Sequence, residues 1–138
     1  MADNLTQVGR SATRLDDRAK VTGAIRYAAD IELPGMIWGR CLRSPHAHAR
    51  VRNIDISGAK KIKGVRAVLT ADDLPRRLVG RRLKDMPVLA QDTVRFIGER
   101  VAVVAAETPD IAEEALSLIH VDYEELKAVY YPCDAMRS

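Results

Sequence analysis

The segment VAVVAA, residues 101–106, decides the fold because every one of its positions is apolar. A strand with apolar side chains on both faces is typical of the centre of a sheet that is covered on both sides. A helix is predicted directly after it, since Thr108 can cap a helix and Pro109 suits its first position. Apolar residues then recur at helical spacing, at Ile111, Ala112, Ala115, Leu116 and Ile119. The sequence therefore predicts a helix packed on a central strand.

Shorter elements surround this pair. Alternating β-branched and polar residues predict strands at 24–27, 36–43, 50–56, 65–70, 88–90, 93–97 and 119–123. A short helix is predicted at 57–62 with Ser57 as its N-cap, and a helical turn at 71–75 that Pro75 ends. Residues 8–20 are expected to form an extended arm, and residues 76–87 a charged loop. Short strands mixed with two helices indicate a single α+β domain.

Charge is distributed unevenly along the 138 residues. Residues 1–84 contain 18 Lys and Arg against 8 Asp and Glu, whereas residues 85–138 contain 4 against 11. The net charge of +3 therefore hides a basic part and an acidic part. These parts can attract each other within one fold, or they can give the surface a basic face and an acidic face for partners.

The cysteines and the amino terminus restrict the class of protein. Cys41 and Cys133 are isolated from each other, which excludes an iron–sulfur or zinc site made of clustered cysteines and favours reduced thiols. No run approaches the roughly 20 apolar residues of a membrane span. Residues 1–7 lack the apolar core of a signal peptide and are expected to form a disordered or extended tail. We therefore predict a cytoplasmic location.

Two histidines, His46 and His48, lie one residue apart and form the first candidate site. Such a pair can bind zinc or copper when a third ligand is supplied, and His120 is the only other histidine. The alternative is a pair of loop histidines that are hydrogen-bonded near Pro45. We favour this second interpretation.

A basic loop forms the second candidate, with Arg76, Arg77, Arg81, Arg82 and Lys84. It could bind phosphate or nucleic acid by charge alone, but it lacks the aromatic residues on which single-stranded nucleic acids stack. A solvated or protein-contacting loop is the favoured alternative.

Residues for catalysis or cofactor binding are not predicted. The adjacent glutamates 113–114 and 124–125 point in different directions on any regular element, so neither pair predicts an acid–base dyad. A nucleophile elbow and a glycine-rich phosphate loop are both missing from the sequence. Taken alone, these patterns support only an α+β domain without an active site of its own.

Several strings, in order, carry a resemblance to a known family. The most specific is RSPHAHAR at 43–50, and the others are VGRS at 8–11, YAADIELPGM at 27–36, GVRAVLTADDLP at 64–75, VRFIGE at 94–99 and VDYEEL at 121–126. Together they resemble the amino-terminal alpha/beta hammerhead domain in the large subunit of molybdenum hydroxylases, the xanthine dehydrogenase and aldehyde oxidase family. The resemblance places this domain at residues 8–138 and implies its α+β hammerhead fold.

The resemblance also implies what the chain does. Enzymes of this family hydroxylate carbon with a molybdenum–pterin cofactor and a glutamate base, and electrons pass to [2Fe-2S] clusters and commonly to FAD. These groups belong to other domains or subunits. The chain is then a non-catalytic structural domain or split subunit, inactive alone, whose partners hold the molybdenum, iron–sulfur and FAD groups. It is either a segment of a longer large subunit or a complete short one. The alternative function is a free-standing module that binds anions or nucleic acid through residues 76–84.

One position departs from the family pattern. The residue after Gly98 and Glu99 is often proline in the family, and here it is Arg100, which places a charge where a partner surface could lie. Polar, turn-rich loops with several donors are common at interfaces. The candidate interface residues are Arg43, Ser44, His46, His48, Arg76, Arg77, Arg81, Arg82, Glu99 and Arg100.

Overall fold

The computed structural model describes Gly9 and residues 11–137. The chain divides into two compact units, Met1–Pro34 and Gly35–Ser138, and we describe each by itself. The expected tail at 1–7 lies outside the described residues. Among the described helices, none combines the length and apolar composition that a membrane crossing requires.

The first unit contains helix α1 (Asp17–Val21) and a 3-10 turn at Ala28–Asp30. The strand predicted at 24–27 does not form, and the prediction of an extended arm at 8–20 is wrong at residues 17–20, which belong to α1. An ion pair between Lys20 and Asp16, four residues apart, stabilises α1. The Asp30 carboxylate accepts a hydrogen bond of 2.8 Å from the Tyr27 N–H, which turns the backbone where a strand was expected.

The second unit contains the remaining elements. In chain order they are β1 (Trp38–Arg43), β2 (Ala49–Asp55), α2 (Ser57–Lys60), β3 (Val65–Leu69), a 3-10 turn (Ala71–Asp73), β4 (Leu78–Val79), β5 (Met86–Pro87), β6 (Thr93–Val94), β7 (Arg100–Ala106), α3 (Pro109–Ser117), β8 (His120–Glu125) and α4 (Pro132–Ala135). The 3-10 turn lies where the sequence predicted a helical turn at 71–75. This mixture of short antiparallel strands and few helices is an α+β hammerhead fold, as the sequence predicted.

The apolar segment 101–106 lies in the central strand of an antiparallel sheet with the order β1-β7-β3. Ala102, Val104 and Ala106 are fully buried on one face. The apolar side of α3 covers that face with Ala112 and Ala115, which are also fully buried. Thr108 caps the helix as predicted, since its hydroxyl accepts a hydrogen bond of 3.2 Å from the Ile111 N–H.

The opposite face of this sheet is only half-buried. Val103 pairs with Cys41 and Leu69, so these side chains share one face, and Leu69 is 39% exposed. The prediction that β7 is covered on both sides is therefore wrong at Val103 and Ala105, which are half-buried, although Val101 on the same face is fully buried. The apolar run correctly indicated a central strand, since β7 pairs with β1 on one edge and with β3 on the other. Helix α3 covers only one of its two faces.

A second antiparallel sheet has the order β6-β2-β8. Its core contains Ala49, Ala90, Val94 and Val101, all at most 1% exposed. Because Val101 faces this cluster and Ala102 faces the α3 cluster, β7 joins the two cores. A bulge at Val51–Asn53 interrupts the pairing of β2 with β8.

Several element boundaries differ from the sequence prediction. The predicted loop 76–87 contains the hairpin β4–β5, and no strand forms at 88–90. The predicted strand 93–97 ends at Val94, because Glu99 accepts the Arg95 N–H and a turn follows. Helix α2 is shorter than predicted and its N-cap is Ile56 rather than Ser57. There the Asp55 carboxylate binds the Ser57 N–H at 2.8 Å.

Candidate functional site

The loop after β1 and the loop before β7 are joined through their backbones. The Ser44 N–H donates to the Glu99 carbonyl at 2.9 Å, and the Gly98 N–H donates to the Ser44 carbonyl at 2.8 Å. The Arg43 guanidinium donates to the Gly98 carbonyl at 2.9 Å. Gly98 has a φ of +89°, which favours glycine. These bonds set the positions of four predicted interface residues, Arg43, Ser44, Glu99 and Arg100.

Glu99 points into the protein rather than towards solvent. It is 7% exposed, and its Oε2 accepts a hydrogen bond of 2.6 Å from the Arg95 N–H. A carboxylate that is engaged in this way holds its own loop. Its neighbour Arg100 is exposed.

Arg43 and Arg100 lie opposite each other where β1 pairs with β7. Together with Met86, Pro87 and Phe96 they line a cleft of about 190 Å³. The Arg43 guanidinium is bound to the Gly98 carbonyl, and both arginines are exposed. The structure thus brings Arg43, Glu99 and Arg100 into one cleft beside the hairpin.

His46 is held between a carboxylate and an aromatic ring. Its Nδ1 lies 2.8 Å from Oε1 of Glu125, and its ring centroid lies 4.8 Å from that of Tyr123. Its backbone N–H donates to the Ser44 hydroxyl at 3.0 Å. Partial burial raises the pKa of Tyr123, and a hydrogen bond with Ser44 opposes that rise. These contacts place His46 within a packed cluster.

His48 ties the same loop to the segment that follows β8. Its Nδ1 lies 2.8 Å from the Lys127 carbonyl, and its own carbonyl accepts from the Leu126 N–H at 2.9 Å. Because a carbonyl can only accept, Nδ1 of His48 carries the proton. Both histidines are thus engaged in hydrogen bonds, as the favoured interpretation expects.

The described residues do not assemble a set of metal ligands. His120 could act with His46 and His48 only if it lay near them. It pairs with Asp55 at one end of β2 and β8, whereas His46 contacts Glu125 at the other end, where Glu125 pairs with Ala49. Five residue steps along a strand separate those ends by roughly 16 Å. In the part of the chain that is described, no group of three His, Cys, Asp or Glu side chains could hold a metal ion.

The resemblance assigns the molybdenum–pterin group to other domains or subunits, so no residue of this chain is expected to hold it. A bound cofactor is held by donors and acceptors that are directed at it. Within the described residues, no buried side-chain nitrogen or oxygen lacks a partner in the chain itself. The buried polar residues Ser44, Thr70 and Glu99 all bind neighbouring loop or turn atoms. We therefore assign no chemical step to this chain.

The basic residues at 76–84 belong to the β4–β5 hairpin. All residues from 75 to 86 are exposed, with Arg81 and Arg82 in the connection between the two strands. Gly80 is required there, because a Cβ atom at this position would lie 1.6 Å from the Leu83 carbonyl oxygen. The hairpin presents charge without aromatic side chains in the loop, which is typical of a solvated or protein-contacting surface.

An apolar groove, which sequence reasoning missed, lies beside these loops. We use this name for the depression of about 520 Å³ between residues 96–97 and 128–130, which is also lined by Ala47, His48, Arg95 and Lys127. Ile97 is 68% exposed and Tyr130 is 75% exposed. The available signal was the apolar run AVYY at 128–131.

Residues 22–127 match the family of the aldehyde oxidase and xanthine dehydrogenase a/b hammerhead domain. A probable xanthine dehydrogenase component of Bacillus subtilis is 44% identical over 128 residues, which cover 92% of this chain and 17% of that protein. The nicotinate dehydrogenase large molybdopterin subunit of Eubacterium barkeri is 39% identical over 94% of this chain and 31% of its own length.

Solved structures show the same similarity. A reconstituted CO dehydrogenase from Oligotropha carboxidovorans superimposes with a TM-score of 0.86 and 40% identity, over 93% of this chain and 16% of that one. The aldehyde oxidoreductase from Desulfovibrio desulfuricans gives a TM-score of 0.83 with 27% identity, again over 93% and 16%. The chain thus spans less than a third of each of these relatives.

Proposed function

Because the chain belongs to the aldehyde oxidase and xanthine dehydrogenase a/b hammerhead family, we propose that it is a non-catalytic part of a molybdenum-cofactor-dependent hydroxylase. One observation carries this proposal. The chain reproduces, over 93% of its length, a fold that makes up 16% of the CO dehydrogenase chain. A domain of that size, whose own polar groups pair with one another, contributes structure to an active site that is built elsewhere.

In this proposal the cofactors belong to partner domains or subunits. A molybdopterin-binding portion supplies the molybdenum chemistry, and further subunits hold [2Fe-2S] clusters and FAD. The assembled enzyme is a cytoplasmic hetero-oligomer. The exposed arginines of the cleft and the hairpin, Arg43, Arg76, Arg77, Arg81, Arg82 and Arg100, are the residues through which we expect polar contacts with these partners.

Native purification tests the proposal. The chain is tagged at its own gene and purified from the source organism, and the eluate is assayed for molybdenum, iron and flavin. We expect molybdenum to co-purify, together with a molybdopterin-binding polypeptide or as part of one longer polypeptide that carries the tag. The separately expressed chain serves as the control and should contain no molybdenum. A native eluate without molybdenum would contradict the proposal.

A further inference from the structure

We propose that the apolar groove receives an apolar segment of the molybdopterin-binding portion of the large subunit. This inference rests on the proposed function and adds to it the surface where contact occurs. Of the residues that line the groove, only His48 is among the interface residues that the sequence predicted.

Exposure of the groove walls indicates that they are covered in the assembled enzyme. One wall consists of Phe96 and Ile97, which are 48% and 68% exposed, and the other of Val129 and Tyr130, which are 56% and 75% exposed. Large apolar side chains that are concentrated in one concave surface are typical of an interaction site. Aromatic residues are also enriched among the contacts that dominate binding free energy.

The groove is held in place before any partner binds. His48 is bound to the segment that leads to the Val129 wall, through the Lys127 carbonyl at 2.8 Å and the Leu126 N–H at 2.9 Å. The opposite wall is held by the Phe96 carbonyl, which accepts a hydrogen bond of 3.2 Å from the Glu99 N–H. A preorganised surface loses little conformational entropy on binding, which favours a stable interface.

Charge at the rim indicates the chemistry of the occupant. Arg95 and Lys127 line the groove, and within the described part of the chain neither forms an ion pair with a carboxylate. An occupant with apolar side chains flanked by Asp or Glu would match both the walls and the rim. We therefore expect a segment of that composition.

Chain length points to the large subunit itself as the source of this segment. The chain accounts for 17% of the B. subtilis relative and 16% of the CO dehydrogenase chain, so more than four-fifths of each lies outside the matched region. Phe96 also lines the cleft of Arg43 and Arg100, which makes the groove continuous with the predicted interface. A second copy of this chain is the competing occupant.

Binding of the separately expressed molybdopterin-binding portion of the same organism's enzyme tests the proposal. The variants are Ile97→Asp and Tyr130→Asp, with Ile97→Val and Tyr130→Phe as matched controls that keep the apolar surface. We expect each Asp variant to raise the dissociation constant about tenfold or more, and each control to keep a dissociation constant within about twofold of the parent value. Thermal unfolding of every variant checks that the fold is retained.

A second measurement uses the unaltered protein. Hydroxyl-radical footprinting compares Phe96 and Tyr130 in the isolated chain with the same residues in the native enzyme. Protection in the enzyme is expected, and equal reactivity would overturn the proposal, as would Asp variants that bind like the parent.

The remaining outcomes are distinct. If the parent chain does not bind although molybdenum co-purifies with the native tagged chain, the proposed function stands and the groove proposal is overturned. A native eluate without molybdenum would instead contradict the proposed function. If light scattering shows a parent dimer that the Asp variants convert to a monomer, a second copy occupies the groove and the proposal is overturned.

Discussion

The backbone N–H of Ser44 donates a hydrogen bond of 2.9 Å to the carbonyl of Glu99. It extends the pairing of β1 with β7 beyond the irregularity at Leu42–Arg43, into two loops that are distant in sequence. Ser44 is 2% exposed and Glu99 is 7% exposed, so this connection is shielded from water. The loops that carry these candidate interface residues are therefore held by backbone pairing as well as by the side chains of Arg43 and Glu99.

Removal of the Glu99 carboxylate should destabilise this connection. In the parent, the Arg95 N–H donates to Oε2 of Glu99 at 2.6 Å, and Glu99→Ala removes this acceptor. Loss of one partner of a buried hydrogen bond costs about 1–3 kcal/mol, and we expect the free energy of unfolding to fall by that amount. Urea denaturation of the chain measures it.

Glu99→Gln is the matched control, because its amide oxygen can still accept the Arg95 N–H. We expect it to retain most of the parent stability. If the Ala and Gln variants are equally stable, the hydrogen bond does not hold the loop.

Removal of the α3 cap should destabilise the helix that covers β7. The Thr108 hydroxyl accepts the Ile111 N–H at 3.2 Å, and an N-cap substitution by alanine costs about 1 kcal/mol. Thr108→Ala should lower the free energy of unfolding by that amount in thermal or urea denaturation. Thr108→Ser keeps the acceptor and should behave like the parent, whereas equal losses in both variants would exclude the cap as the cause.

Asp73 should contribute to the loss of stability in acid. Hydrogen bonds from the backbone N–H and hydroxyl of Thr70 lower the pKa of Asp73 below its ordinary value of 3.8. A carboxyl whose pKa is lower in the folded state stabilises the fold above its unfolded pKa, and this contribution disappears as the pH falls through the folded pKa. The stabilisation is thus complete near neutral pH and is lost below about pH 4.

Asp73→Asn measures this contribution through the thermal midpoint between pH 2 and pH 7. We expect the variant to be less stable than the parent near neutral pH and the difference to shrink below about pH 4. Asp72→Asn is the matched control at an exposed neighbour. A difference between Asp73→Asn and the parent that is constant across the pH range would contradict the assignment.

The sequence predicted the parts of the fold that depend on local patterns. The run at 101–106 identified the central strand because a strand with a solvated face would alternate apolar and polar residues, and this run is apolar at every position. Thr108 and Pro109 identified the start of α3 because capping depends on neighbouring residues alone. The resemblance on 43–50 identified the family, which the match over residues 22–127 confirmed.

What the sequence did not predict depends on contacts between distant segments. The strand expected at 93–97 ends early because Glu99 binds the backbone at Arg95, and no periodicity reveals that bond. The apolar groove was missed because its walls come from two segments that are separated in sequence by β7, α3 and β8. Residues 96–97 belong to the end of the strand predicted at 93–97, and residues 129–130 belong to no predicted element, so neither segment alone indicates a groove.

The two faces of β7 should differ in how much they contribute to stability. Val104 is fully buried beneath α3, whereas its neighbour Val103 lies on the half-buried face with Cys41 and Leu69. Val104→Ala removes buried methyl groups and leaves a cavity, so we expect a loss of about 2 kcal/mol in the free energy of unfolding. Val103→Ala makes the same chemical change on the other face and should cost less than half as much, measured by urea denaturation of the chain. Equal losses would mean that both faces are packed, and the half-buried face would then not be available to a partner.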